Sequence, residues 1–249
     1  MSERPMYEVY ESFYKTVEKS AEFSKFCSTV YGIDLSQDGF SDIEQIEFLL
    51  EKLSLSPESR FLDIGCGNGK LLAYVYSKTG ADVYGFDYSP TAVESAKNRL
   101  PDLKENFNVG DIDEISYEEQ FFDAIVSVDT LYFTDDLNGF VNRIMSWLKP
   151  GGVFAAFYMD EGKTPCKTQL ASILDKNGTK YEVFDFCDSH YYIMRKKHDT
   201  ALLMREALER DGLKEHTERM LRESFDCSIT KEGAGDEYCG CRFLYVVRK

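Results

Sequence analysis

The chain has 249 residues, of which 43% are hydrophobic, and carries a formal charge of −15 from 29 Lys+Arg against 44 Asp+Glu. That length suits one α/β domain with some elaboration, and the acidic excess repels a polyanion, which argues against a nucleic-acid substrate. The seven cysteines have no zinc-like spacing, so no metal site is expected, and no apolar run reaches membrane-spanning length.

The first sixty or so residues read as helical by their apolar spacing. Tyr7, Tyr10, Phe13, Tyr14 and Val17 recur at three- and four-residue steps, one helical stripe that serves as core more readily than as a substrate cage. A loop-like stretch follows from Tyr31 to Phe40. Ser41 then reads as an N-cap with Glu44 completing a capping box, and Ile43, Ile46, Leu49, Leu50 and Leu53 make the next helix amphipathic.

From Arg60 the pattern alternates. Phe61–Ile64 is a short apolar strand, 70–78 a helix and 82–87 a second strand. Ser89–Pro90 opens a helix with a cap and a first-turn proline. Strands at 107–109 and 122–128, a helix at 137–148, a Lys149–Pro150–Gly151–Gly152 turn and a strand at 152–158 follow. This repetition requires right-handed crossovers and an α/β, doubly wound parallel sheet with helices on both faces. Beyond Tyr158 come a helix at 167–176, a strand at 181–187, helices at 190–210 and about 214–224, and a closing strand at 240–247. Cys239 and Cys241 fall at the start of that strand without a second pair to complete a metal site. The Arg195–Lys196–Lys197 run reads as a solvated helix face, as do His198 and His216. The odd cysteine count and lack of a signal peptide point to free thiols in a cytoplasmic protein.

The segment Asp63–Ile64–Gly65–Cys66–Gly67–Asn68–Gly69–Lys70 carries the chemistry. Glycines between a strand and a helix permit a tight turn and close backbone approach to a ligand, and the following helix aims its amides there. The spacing is GxGxG with an acid two residues before, unlike the GxGxxG of dinucleotide enzymes. Asp87, at the end of the second strand, can accept hydrogen bonds from both hydroxyls of a ribose; Ser89 already suits the capping role. Asp111, after the third strand, can accept from an adenine amine while the next backbone N–H serves the ring.

Together these residues resemble the class I S-adenosylmethionine-dependent methyltransferases, small-molecule type, over roughly residues 45–160. The resemblance implies a Rossmann-like seven-stranded sheet with the last strand antiparallel, a helical N-terminal cap and an insertion before the final strands. It implies a single domain over 1–249, with 1–55 as the cap, 56–160 as the cofactor-binding core and 161–249 as cap helices and final strands. It further implies that S-adenosyl-L-methionine is the cofactor. Asp63 would help hold the methionyl amino group, with Gly65, Cys66, Gly67 and Gly69 in the turn against it. Asp87 would bind ribose with Tyr88 beside the adenine, Asp111 and Ile112 would read the adenine, and Val128 and Asp129 would line the methionine side.

The acceptor pocket should lie at the carboxyl ends of the strands. Candidate catalytic residues are His190, Tyr132 and Tyr158; His190 suits a general base by its pKa class, with a helix-start histidine as the other reading. Tyr14, Tyr31, Asp188 and Tyr191 are candidates for substrate contact or a lid. The fourth-strand end, Ser127–Val128–Asp129–Thr130–Leu131–Tyr132, lacks the Asn/Asp-Pro-Pro-Tyr/Phe pattern of many enzymes that methylate nucleic acids and proteins. The reading is methyl transfer to nitrogen or oxygen of a small molecule, by a monomer or homodimer that engages neither nucleic acid nor membrane. The alternatives are a protein or tRNA methyltransferase and a cofactor-binding protein without transferase activity; a nicotinamide dehydrogenase is disfavoured by the glycine spacing.

Overall fold

The central strands are buried along nearly their whole length, and alternate side chains of each strand feed two opposite cores. The computed structural model describes residues 6–36, 39–160, 164–229 and 242–249. Its strands are β1 (Arg60–Ile64), β2 (Asp82–Asp87), β3 (Phe107–Val109), β4 (Phe122–Val128), β5 (Leu148–Met159), β6 (Tyr181–Asp185) and β7 (Arg242–Arg248). They form one seven-stranded sheet in the order β3-β2-β1-β4-β5-β7-β6. Pairs among β1 to β5 are parallel, and β7 runs antiparallel to both β5 and β6.

Leu62, Ile125, Phe154 and Tyr245 face one layer of helices, α6 (Leu137–Trp147) and α7 (Gln169–Lys176). Phe61, Ala124, Val126 and Phe157 face the other, made of α3 (Ile43–Leu53), α4 (Lys70–Thr79) and α5 (Pro90–Arg99). Both faces are covered, as a parallel sheet requires.

A third core binds the two flanks of the chain to each other. Phe13 and Val17 of α1 (Tyr7–Val17) and Phe23, Phe26 and Val30 of α2 (Ala21–Tyr31) pack with Met194, Ala201 and Leu208 of α8 (Cys187–Arg210) and Met220 of α9 (Lys214–Ile229). Phe23 and Phe26 are fully buried, each contributing roughly 1.5–3 kcal/mol of transfer free energy. Thus α1 and α2 share a cap with α8 and α9, while α3 belongs to the sheet.

Several local readings change. The N-terminal stripe is broken at Ser20, whose hydroxyl accepts from the Phe23 amide at 3.0 Å and starts a second helix. Asp42, not Ser41, caps α3 by accepting from the Gln45 amide at 2.9 Å. The 149–152 turn lies within β5, where pairing with β4 slips register between Phe122 and Ala124. Cys187 starts α8 rather than ending β6, so His190 lies inside the helix's first turn and not at its first position. His216 and Lys197 are buried, not solvated: each lies on the inward stripe of its helix, a placement that residue type alone does not reveal. Cys239 and Cys241 lie outside the described residues.

Candidate active site

The chain builds β1, β2 and β3 outward in one direction and then crosses back to lay β4 on the other side of β1. At such a switch point two neighbouring connections leave in opposite directions and open a crevice at the carboxyl ends of the strands. The described cavity lies there, lined from the ends of all four strands and roofed by α1 together with residues 35–36 and 39–41.

Its floor is the glycine turn. Gly67 holds φ +53°, and a Cβ there would stand 2.5 Å from the Tyr14 hydroxyl; only glycine allows backbone and cap to meet so closely. The Cys66 amide donates to the Phe86 carbonyl at 2.9 Å, tying the turn to β2. The Gly67 amide donates to Asp87 Oδ2 at 3.0 Å and the Ser89 amide to Asp87 Oδ1 at 2.9 Å, while Ser89 caps α5 through the Ala92 amide at 3.1 Å. Gly69 is not in the lining: its missing Cβ makes room for Ala96, 2.7 Å away, so it serves the packing of α4 on α5.

Asp63, Gly65, Cys66, Gly67, Asp87 and Tyr88 all line the cavity, as do Asp111, Ile112, Val128 and Asp129. The described lining holds four carboxylates (Asp63, Asp87, Asp111 and Asp129) and no Lys, Arg or His. Burial, and then the charge of Asp87, push the Asp63 carboxyl up to about 8. Burial likewise raises Asp87 to about 6, against the hydrogen bonds from Ser89 and Gly67 that lower it. A ligand with ammonium or hydroxyl donors would relieve both.

Asp129 adopts φ +60°, a left-handed conformation uncommon outside glycine. Its carboxylate is gripped by Arg242, Nη1 to Oδ1 at 2.5 Å and Nη2 to Oδ2 at 3.0 Å, and accepts from the Phe40 amide at 3.3 Å. Arg242 also donates to Ser41 Oγ at 2.6 Å and Gln45 Oε1 at 3.1 Å. The first residue of β7 thereby fixes the end of β4 and the start of α3 around the mouth.

Other sequence candidates fall elsewhere. Tyr14 lines the cavity, but Tyr31 does not; its hydroxyl donates to the Gly39 carbonyl at 3.2 Å and steadies the roof. His190 is fully buried behind Phe40, ring centroids 5.4 Å apart. Burial, Arg242 and Lys197 depress it to about 3, so it is neutral near pH 7 and a weak base, and it is not among the residues lining the cavity. Tyr132 accepts from the Met159 amide at 2.5 Å and packs its ring, tilted by 31°, against Tyr158 with centroids 5.0 Å apart. Tyr158 donates to Gln169 Oε1 at 3.3 Å, and burial and Asp160 push it up to about 12. Both belong to a packing group outside the lining. Asp188 is exposed on α8, and Tyr191 is buried beside Arg195, again outside the lining. What the sequence reading missed is the roof, Tyr10, Phe40 and Ser41, hidden in an aromatic stripe and a loop.

Residues 62–156 match the family model described as a methyltransferase domain. Over 180 residues the chain is 30% identical to phosphoethanolamine N-methyltransferase 1 of Zea mays, covering 71% of this chain and 35% of that one. The chain spans about a third of the length of the first curated relatives it matches. Among solved structures, Haemonchus contortus phosphoethanolamine N-methyltransferase 2, in complex with phosphomonomethylethanolamine and S-adenosylhomocysteine, superposes with a TM-score of 0.72 at 18% identity, over 96% of this chain and 60% of that one. The cyclopropane synthase MmaA2 of Mycobacterium tuberculosis gives 0.73 at 15% identity over 100% of both. Residues 62–156 thus match a methyltransferase domain, on a sheet with the strand order, and with a glycine turn at the switch point, that the resemblance to the class I S-adenosylmethionine-dependent methyltransferases implies.

Proposed function

We propose that the chain binds S-adenosylmethionine in the switch-point cavity and moves its methyl group to a nitrogen or oxygen of a small molecule. The observation that carries this reading is the lining itself: four buried or half-buried carboxylates, no basic side chain among the described lining residues, and a glycine turn that leaves the backbone bare. That acceptor set fits a ligand with ammonium and hydroxyl donors and a positively charged centre. Asp63 would face the amino group, Asp87 the ribose hydroxyls, and Asp111 with Ile112 the adenine.

When bound, the cofactor supplies an electrophilic methyl on a sulfonium. The work left to the protein is alignment and exclusion of water. Tyr10, Tyr14 and Phe40 cover the cavity from the cap, and Arg242 holds Asp129 at its edge. An amine that arrives as its free base attacks without a protein base, which agrees with the placement of His190 behind Phe40. Curated relatives named for phosphoethanolamine N-methylation favour nitrogen over oxygen.

Calorimetry with S-adenosylmethionine and S-adenosylhomocysteine tests the reading. Micromolar binding of both supports it and justifies a screen of small amines and phenols for methyl transfer. Binding of neither by folded protein would overturn it.

A further inference from the structure

The turn that carries Asp111 and Ile112 hangs on the edge of the sheet. Its strand, β3, is three residues long and pairs with β2 alone among the described strands. The turn folds on itself: the Asp113 amide donates to Asp111 Oδ1 at 2.9 Å, and the Glu114 and Ile115 amides donate to the Asp111 carbonyl at 3.0 and 2.8 Å. These local bonds shape the turn but do not fix it against the rest of the cavity.

Arg143, on α6, does. Its Nη1 donates to the Asp113 carbonyl at 2.6 Å and its Nη2 to the Ile112 carbonyl at 2.8 Å. Its guanidinium lies 5.1 Å from the ring centroid of Phe140, which is fully buried. The turn reaches back through the Asp113 carboxylate, which accepts from the Thr134 hydroxyl and, at 2.9 Å, from the Asp135 amide. Thr134 Oγ1 accepts from the Asp136 amide at 3.2 Å, and Asp136 caps α6 through the Gly139 amide at 2.9 Å. The contacts close a ring, from the turn to α6 through Arg143, from the start of α6 to Thr134, and from Thr134 to the turn through Asp113. Both linked segments face the cavity, one with Asp111 and Ile112 and the other with Thr130 and Phe133, whereas Asp113, Thr134 and Arg143 are not among the lining residues.

Water would satisfy two carbonyls at a half-buried corner such as this one, and a lysine would supply a positive charge beside the acids at 111, 113, 114, 135 and 136. Neither supplies direction. A planar guanidinium that donates to two successive carbonyls and rests on a buried ring fixes both peptide planes at once.

We propose that Arg143 and Asp113 form a clasp that holds the Asp111–Ile112 turn and the 130–133 segment as one wall of the cavity, with Arg143 as a positioning residue for recognition of the ligand's base. The base-recognition part rests on the reading of the cavity as an S-adenosylmethionine site; the clasp itself does not.

The test uses the full chain and two probes, S-adenosylhomocysteine and S-inosylhomocysteine, in which a carbonyl replaces the adenine amine and opposes the Asp111 carboxylate. In calorimetry the wild type should favour the adenosyl probe by about tenfold or more. Arg143→Met should bind that probe about tenfold more weakly and lose most of the preference, and Arg143→Lys should recover part of both. An arginine that only stabilises the fold leaves the ratio of the two affinities as in wild type, and that result, or a wild type without preference, overturns the positioning role. Arg143→Met combined with Asp113→Ala should bind within about threefold of the weaker single variant; losses that multiply mean two independent supports and overturn the clasp. Amide exchange without ligand reads the clasp by itself. In Arg143→Met the Glu114, Ile115 and Asp135 amides should all exchange faster while those of β1 stay as they are, and unchanged exchange at Asp135 overturns the coupling whatever binds. Failure of folded wild type to bind either probe overturns the S-adenosylmethionine reading instead, and the exchange arm still decides the clasp.

Discussion

Arg242 and Asp129 form a two-pronged ion pair across 113 positions of sequence, with the arginine side chain fully buried and the aspartate 7% exposed. The pair carries the left-handed backbone at Asp129 and knits β7 to the mouth of the cavity. Removing the arginine leaves a buried carboxylate without its counter-ion, and strips donors from Ser41 and Gln45. Arg242→Met should therefore lower unfolding free energy by about 3–5 kcal/mol, read from urea denaturation. Arg242→Lys should recover only part of that, since an ammonium cannot reproduce the planar fork. A loss below about 1 kcal/mol for the methionine variant would mean that the pair contributes little net stability.

The raised carboxyls set a pH dependence of unusual sign. Burial and Asp87 hold Asp63 up at about 8, and burial holds Asp87 at about 6, against about 3.9 in an unfolded chain. Between those limits the folded state binds more protons than the unfolded one, so these groups' contribution to stability is greatest below pH 4 and is lost as pH rises toward 8. Asp63→Asn should flatten that slope: the variant's melting temperature should gain on wild type steadily from pH 5 to pH 8. On the proposed function, the ammonium of S-adenosylmethionine meets the same carboxylate, and binding should release protons at pH 7, seen as a dependence of binding heat on buffer ionisation enthalpy. A wild-type and variant pair that track each other across this range would show that Asp63 is already ionised when folded.

The sheet was legible in the sequence because short apolar strands, glycine turns and capping signals such as Ser89–Pro90 are local, and local signals place β1 to β5 within a residue or two except at the start of β5. The glycine turn, Asp63, Asp87 and Asp111 were legible because each sits at a strand end whose position the alternation determines. The roof was not. Phe40 belongs to a loop, and its place over the cavity depends on Tyr31, Asp129 and Arg242, which meet only in three dimensions. Lys197 and His216 were misjudged for a related reason: each reads as a charged helix surface until α8 and α9 fold onto α1 and α2, and no helical period says which face a distant cap will cover. His190 drew attention as a histidine after a strand, yet helix α8 begins before it and turns it behind Phe40.

Glu11 fastens the cap to the cofactor-side helix. Its carboxylate accepts from Ser89 Oγ at 2.5 Å and from the Thr91 hydroxyl, the N-cap and a first-turn residue of α5, where a negative charge also meets the favourable end of the helix dipole. The hydrogen bonds from Ser89, Thr91 and Lys15 hold Glu11 below the usual glutamate range despite its burial. Glu11→Gln should keep the packing while weakening the latch, raising the dissociation constant for S-adenosylhomocysteine about three- to tenfold, or roughly 0.7–1.4 kcal/mol. Amide exchange in α1 should quicken in the variant. Unchanged exchange there would mean that the aromatic contacts of Tyr10 and Phe13 alone hold the helix down.

Two glycines two residues apart should separate binding from stability. At Gly67 a methyl group meets the Tyr14 hydroxyl in the cavity floor, while at Gly69 it meets Ala96 at the α4–α5 contact. Both positions have positive φ, +53° and +74°, so each alanine is strained by its backbone as well as by space. Gly67→Ala should cost tenfold or more in S-adenosylhomocysteine affinity, because the displaced tyrosine and the new methyl both occupy the cradle. Gly69→Ala should cost about 1–3 kcal/mol of stability through overpacking and leave affinity within about threefold, or 0.7 kcal/mol. Calorimetry and denaturation on the two variants check this directly, and if Gly69→Ala were the one that lost the ligand, the turn would bind through its helix-side amides and not through the bare backbone at Gly67.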